Sequence, residues 1–196
     1  MEFQHDKSWE KLLTILNSKK NIEEAWNNFI DFHEQIAAKS YWTLLRELDI
    51  QKEQSAIKEW LEQIITTSPI TENVAALWIG ITKMPHETDH EIPIVYLAGA
   101  DTYDKDDIEW ACNPTYLPEN RYACFDVLMQ LDKVIKNDEE NYEFLDWIFP
   151  LAYCAFTLDE IIRLKLNKKL FLKNTQNLFV ATGYDSGDYL NISRIG

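Results

Sequence analysis

At 196 residues, with 46% apolar and 13% aromatic content, the chain is long enough for one folded domain and too apolar for disorder. Its 33 acids against 19 bases leave a net charge of −14, which excludes a nucleic-acid reader, because phosphate binding needs clustered Lys and Arg. The longest apolar tract, residues 144–158, is interrupted by Asp146, Pro150 and Thr157 and falls short of the roughly 20 residues a membrane span requires.

The first seventy residues predict helices. Trp9, Leu12, Leu13 and Leu16 recur at helical spacing behind Ser8, a candidate N-cap. Asn21 can cap a second helix whose stripe is Ile22, Ala25, Trp26, Phe29, Ile30 and Ile36. Trp42, Leu45 and Leu48 continue the pattern, as do Ile57, Trp60, Leu61, Ile64 and Ile65, until Ser68 and Pro69 break it. That break is the one plausible boundary, giving a helical part over 1–68 and an α+β part over 69–196, the two forming one compact unit.

Beyond it the period changes from about 3.6 to 2. Residues 74–84 and 92–100 are apolar on both alternating sets, so both faces of these strands should be covered. The polar stretch 85–91 joins them as a long hairpin loop. An acidic loop follows over 101–109. Pro118 suits the first turn of a helix carrying Tyr122, Phe125, Leu128, Leu131 and Ile135. A second, largely apolar helical region spans 139–166 and should be central, with a break or kink near Pro150. Near the end, 178–182 and 189–195 flank a turn in which Gly187 can take positive φ. The expected fold is therefore α+β: an antiparallel sheet of about four strands in two hairpins, packed on helices, with a helical N-terminal part.

Charge is not spread evenly. Residues 73–160 hold eighteen acids and five bases, a net −13, whereas the segment from Ile161 onward holds two acids and six bases, a net +4. The acids are densest at Asp101, Asp104, Asp106, Asp107 and Glu109, and Tyr103, Trp110, Tyr116, Glu119 and Tyr122 are interleaved with or follow them. Aromatic anchors inside an acidic rim suit the capture of Lys and Arg from a basic protein. The partner-binding candidates are Tyr103, Asp104, Asp106, Asp107, Glu109, Trp110, Tyr116 and Glu119. The same run could hold Ca²⁺ or Mg²⁺, although its spacing is not that of an EF-hand. Arg163, Lys165, Lys168, Lys169 and Lys173 could pair with the acidic midsection within one molecule or across a homo-oligomeric scaffold.

One stretch matches an enzyme motif. His86, Glu87 and His90 fit H-E-x-x-H, whose two imidazoles bind zinc from one helix face while the Glu acts as base in a metal-dependent hydrolase. Pro85 and Pro93 leave too little chain for that helix, so the segment reads as a solvated loop. No phosphate-binding glycine loop and no G-x-S-x-G elbow occurs. Cys112, Cys124 and Cys154 lie in apolar or helical surroundings that suit structural thiols better than nucleophiles. Their odd number without CxxC spacing, together with a start that lacks a basic-then-apolar leader, predicts reduced thiols in the cytoplasm. No cofactor is expected.

Three stretches taken together, AALWIGITKM (75–84), VYLAGADTYDKDDIEWACNPTYLPENRYA (95–123) and ATGYDSGDYLNI (181–192), resemble small acidic bacterial immunity-type proteins of polymorphic or contact-dependent toxin systems. The resemblance is one of general pattern from about residue 74 onward, and no functional residue is matched by motif. It implies a non-enzymatic cytoplasmic inhibitor that binds a cognate, often basic, toxin domain and blocks its active site.

Overall fold

A computed structural model describes residues 2–85, 91–185 and 187–196. Four helices come first: α1 (His5–Asn17), α2 (Ile22–Ile36), α3 (Tyr41–Arg46) and α4 (Ile50–Thr67). Strands β1 (Ala76–Pro85) and β2 (Glu91–Ala100) follow, then a 3-10 helix (Ile108–Cys112) and the two-residue strand β3 (Tyr122–Ala123). The chain continues through α5 (Asp126–Ile135), α6 (Tyr142–Glu160), a π-helical turn (Ile161–Lys165) and α7 (Lys168–Phe171) before β4 (Phe179–Tyr184) and β5 (Tyr189–Asn191).

Helix limits follow local chemistry in part. Asn21 caps α2 as expected, its side chain accepting from the Glu24 amide at 3.0 Å. Ser8 does not cap α1, which already begins at His5; Ser8 is buried and its Oγ lies 2.9 Å from His33 Nε2. His33 Nδ1 lies 2.8 Å from the Phe29 carbonyl, so the ring donates there and accepts from Ser8. Burial holds this imidazole neutral, lowering its pKa to about 4. Helix α5 starts at Asp126, not near Pro118, because the chain turns at Glu119 and Asn120, the latter at φ 57°, and then enters β3, where Tyr122 pairs with Tyr96 of β2.

Two helices are capped by distant glutamates. Neither Phe125 nor its neighbours cap α5 locally; Glu53 of α4 accepts from the Val127 amide at 2.7 Å and from the Tyr153 hydroxyl at 2.8 Å. Burial raises the pKa of this carboxyl, the hydrogen bonds opposing it. Glu160 at the end of α6 likewise accepts from the Ile22 amide at 2.6 Å, at the start of α2.

Helix α6 is the central element, as its apolar composition predicts: fifteen of its nineteen residues are buried. It runs through Pro150 as one helix and does not break there. Proline has no amide to give the carbonyl four residues back, at Asp146. The Tyr184 hydroxyl donates there instead, at 2.9 Å, and lies 3.0 Å from the Trp147 carbonyl.

The sheet has five strands in the order β3-β2-β1-β4-β5 and is mixed. β1 and β2 are antiparallel, with Ala76 opposite Ala100 and Pro85 opposite Glu91. The terminal hairpin β4–β5 forms as expected, with Gly187 at φ 116° in its turn. The expected all-antiparallel arrangement is corrected at one place: β4 lies parallel to β1, with Ala76 opposite Phe179 and Ile81 opposite Tyr184. The chain leaves the sheet after β3, builds α5 to α7, and re-enters in the direction of β1.

Double coverage explains why both alternating sets are apolar. Leu77, Ile79, Ile81, Val95, Leu97 and Val180 face the main core, which is shared with α1, α2, α4 and α6 across the 68/69 boundary. Ala76, Trp78, Ala98, Ala100 and Ala181 face the other way and are roofed by Trp110, Tyr103 and Ile108. Gly80 is required on that face, since a Cβ there would meet the Tyr96 ring at 2.2 Å. No helix among the described residues is long and apolar enough to cross a membrane.

Candidate protein-binding surface

The acidic loop leaves β2 at Ala100 and crosses the outer sheet face. It is organised by its own carboxylates: Asp104 Oδ1 accepts from the Asp106 amide and Asp107 Oδ1 from the Glu109 amide, each at 2.9 Å. Asp107 thereby caps the 3-10 helix. The loop is tied to the terminal hairpin. Tyr103 stacks on Phe179 at 4.0 Å between ring centres with planes 3° apart, and its hydroxyl donates to Asn191 at 3.1 Å. The Lys105 carbonyl accepts from the Tyr189 hydroxyl at 3.2 Å and from Asn191 Nδ2 at 3.0 Å. Burial and the neighbouring Asp106, Asp107 and Asp104 together raise the Tyr189 pKa.

The candidates divide cleanly. Asp104, Asp106, Asp107, Glu109 and Glu119 are exposed. Tyr103 is half-buried, with one ring face against Phe179. Trp110 and Tyr116 are not surface anchors, being 6% and 8% exposed. Trp110 meets Trp78 edge-on at 6.3 Å beneath the loop, and its indole nitrogen has no hydrogen-bond partner among the described residues. Tyr116 pairs with Gly99 on the sheet and donates to the Ser68 carbonyl. Both were drawn inward because the outer face of β1 and β2 is apolar and needed a cover.

Other features replace them. Tyr122 is 47% exposed, with the Arg121 guanidinium 4.8 Å above its ring. A groove of about 370 Å³ runs between the 3-10 helix and the β4–β5 turn, floored by Trp78 and Tyr96 and closed by Ile108 and Asp185. Trp78 Nε1 donates to the Tyr96 hydroxyl at 3.0 Å, and that hydroxyl donates to Asp185. Burial is the main reason the Tyr96 pKa is raised, and Asp185 adds to it. The sequence offers no signal for this groove, since its walls, at Ile108 and Asp185, lie far apart in the chain.

Where the loop's charge is cancelled, and where it is not, follows from the ion pairs. Two of the tail's six cations pair elsewhere: Arg163 with Asp159 at 2.7 Å and Lys165 with Glu160 at 3.1 Å. Lys19 also reaches Asp159, at 2.8 Å, and Ser193 donates to it at 2.6 Å. Burial acts against the charged form of both acids, yet these partners and the Ile22 amide hold their pKa values below normal. Lys83 is shared by Asp132 at 3.1 Å and Asp146 at 2.7 Å, and Lys39 pairs with Asp138 at 3.2 Å. In the acidic loop, among the described residues, the single ion pair is Lys105 with Asp106 at 3.7 Å, and both side chains are more than 70% exposed.

His86, Glu87 and His90 lie outside the described residues, and the described residues hold no group of three or more candidate metal ligands. Lys83 lines a cavity of about 280 Å³, but although burial opposes its charge, Asp146 and Tyr142 hold it protonated and so non-nucleophilic. Burial raises the pKa of Cys124, and more strongly that of Cys154, which disfavours the reactive thiolate. Compared with known protein families, with characterised proteins and with solved structures, the chain matches none.

Proposed function

We propose that this chain is a non-enzymatic binding protein whose acidic loop engages a basic protein partner, in the manner of a cytoplasmic immunity protein that neutralises a cognate bacterial toxin. The observation that carries this reading is the division of cations. Arg163, Lys165, Lys19, Lys39 and Lys83 are held by acids of the helical half, which leaves Asp104, Asp107 and Glu109 exposed without an ion pair among the described residues. Such uncompensated negative charge speeds association with a basic surface. Asp104, Asp106, Asp107, Glu109 and Glu119 attract Lys and Arg, while Tyr122, the open face of Tyr103 and the groove beside Tyr96 give apolar contact to their stems.

The loop is fixed before binding by its Asx turns and by Tyr103, Tyr189 and Asn191, so little ordering cost accompanies capture. The test is a calorimetric titration of the purified protein encoded beside this chain in its genome. Asp106→Lys combined with Asp107→Lys should weaken binding about tenfold or more at low salt, with the loss shrinking as salt rises. Unchanged affinity with an intact fold removes the acidic loop from the mechanism.

A further inference from the structure

A second surface, away from the acidic loop's own carboxylates, has the composition of a cation receptor. Three elements meet there: the start of α1, the middle of α6 and the β4–β5 turn. They enclose an open groove of about 440 Å³ lined by His5, Asp6, Trp9, Glu10, Trp147 and Asp188. The indoles of Trp9 and Trp147 are half-buried and nearly parallel, with ring centres 6.1 Å apart and planes at 16°. His5 lies 4.8 Å from Trp147. Trp147 Nε1 donates to Asp188 Oδ2 at 3.0 Å, which orients the indole and leaves Oδ1 to accept from a ligand.

Asp6, Glu10 and Asp188 are exposed, and among the described residues no Lys or Arg lies within ion-pair distance of any of them. Three uncompensated carboxylates around two indole faces are complementary to a cation that is also flat and weakly hydrated. A guanidinium meets both conditions: it stacks on an indole while its N–H groups fork onto carboxylate oxygens. An ammonium is compact, strongly hydrated and uses the indole faces less well.

We infer that this groove receives an arginine side chain presented by the basic protein partner. The inference rests on the reading above for the nature of the partner, and it gives that partner a second anchor. The hairpin supplies a physical link between the two surfaces. Asp188 binds Trp147, and the adjacent Tyr189 holds the acidic loop through the Lys105 carbonyl.

The test uses the intact chain with ¹⁵N-labelled indoles and N-acetyl-arginine amide as probe, at constant ionic strength. Saturable shifts are expected at the Trp9 and Trp147 indole N–H signals, while those of the buried Trp26 and Trp42 stay fixed. N-acetyl-lysine amide should bind at least about threefold more weakly, and Glu10→Gln and Asp188→Asn should each weaken the arginine probe by a similar factor. Asp106→Asn with Asp107→Asn should leave it unchanged, so that failure of the groove and failure of the acidic loop are told apart. Shifts that do not saturate, equal binding of the lysine probe, tighter binding of tetramethylammonium, or indifference to Glu10→Gln would each overturn the assignment.

Discussion

Two acid-rich regions of this molecule have opposite fates. The acids between Asp132 and Glu160 lie on α5, α6 and their connection, and five of them are paired with cations drawn from several separate segments of the chain. The acids between Asp101 and Glu109 sit on a loop over the outer sheet face and hold one long, exposed ion pair. In the first region carboxylates are structural: Asp159 joins the α1–α2 connection, the π-helical turn and the terminal segment, and Glu160 caps α2. In the second they are available. Density of charge along a sequence therefore says little about potential at the surface; what matters is which cations the fold delivers.

Acidification should have the largest effect on stability, because it acts on a buried group of the interior. His33 is held neutral in the fold, with its pKa lowered to about 4 from an ordinary 6.5. Between those values the unfolded chain binds a proton that the folded one refuses, so stability is full above pH 6.5 and falls as pH drops toward 4. The loss is on the order of 3 kcal/mol. Denaturant unfolding at a series of pH values should show it, and His33→Gln should flatten that limb.

Asp159→Ala probes the paired region directly. It strips Lys19, Arg163 and Ser193 of a shared, almost fully buried acceptor and should cost about 2–3 kcal/mol, less than a fully enclosed pair because Lys19 can turn to water. Asp106→Ala, in the exposed loop, should change stability by less than about 0.5 kcal/mol. Comparable losses in urea melts of the two variants would erase the distinction drawn above. A loss between those two sharpens the account of the core: Tyr184→Phe leaves the Asp146 carbonyl, already deprived of an amide by Pro150, without its donor. A loss of about 1–2 kcal/mol is expected, with the midpoint rather than the slope of unfolding shifted.

Much of this fold is legible in the chain. The stripes of α2 and α4, the apolar girth of α6, the terminal hairpin and the two-sided burial of β1 and β2 all follow from spacing, because each is set by which residues share a face within one element. The exposure of Asp104, Asp106, Asp107 and Glu109 also follows, since an unpaired carboxylate stays in water even where Tyr103, Ile108 and Trp110 beside it turn inward. Ser8 misleads because Ser is a good cap in isolation, whereas here His33, twenty-five residues away, offers it a buried partner. Trp110 and Tyr116 mislead because an aromatic among acids looks like an anchor until the sheet beneath is known to need a roof.

By itself, then, the sequence determined the helices, the doubly covered strands and the reach of the acidic loop into solvent, each a matter of local periodicity and polarity. Tertiary structure alone decided that β4 would lie parallel to β1, that Glu53 and Glu160 would cap helices far from them, and that Arg163 and Lys165 would settle on Asp159 and Glu160. The physical reason is that pairing, capping and neutralisation are choices among distant partners. Nearest-neighbour pattern carries no information about which partner the packed core brings within reach.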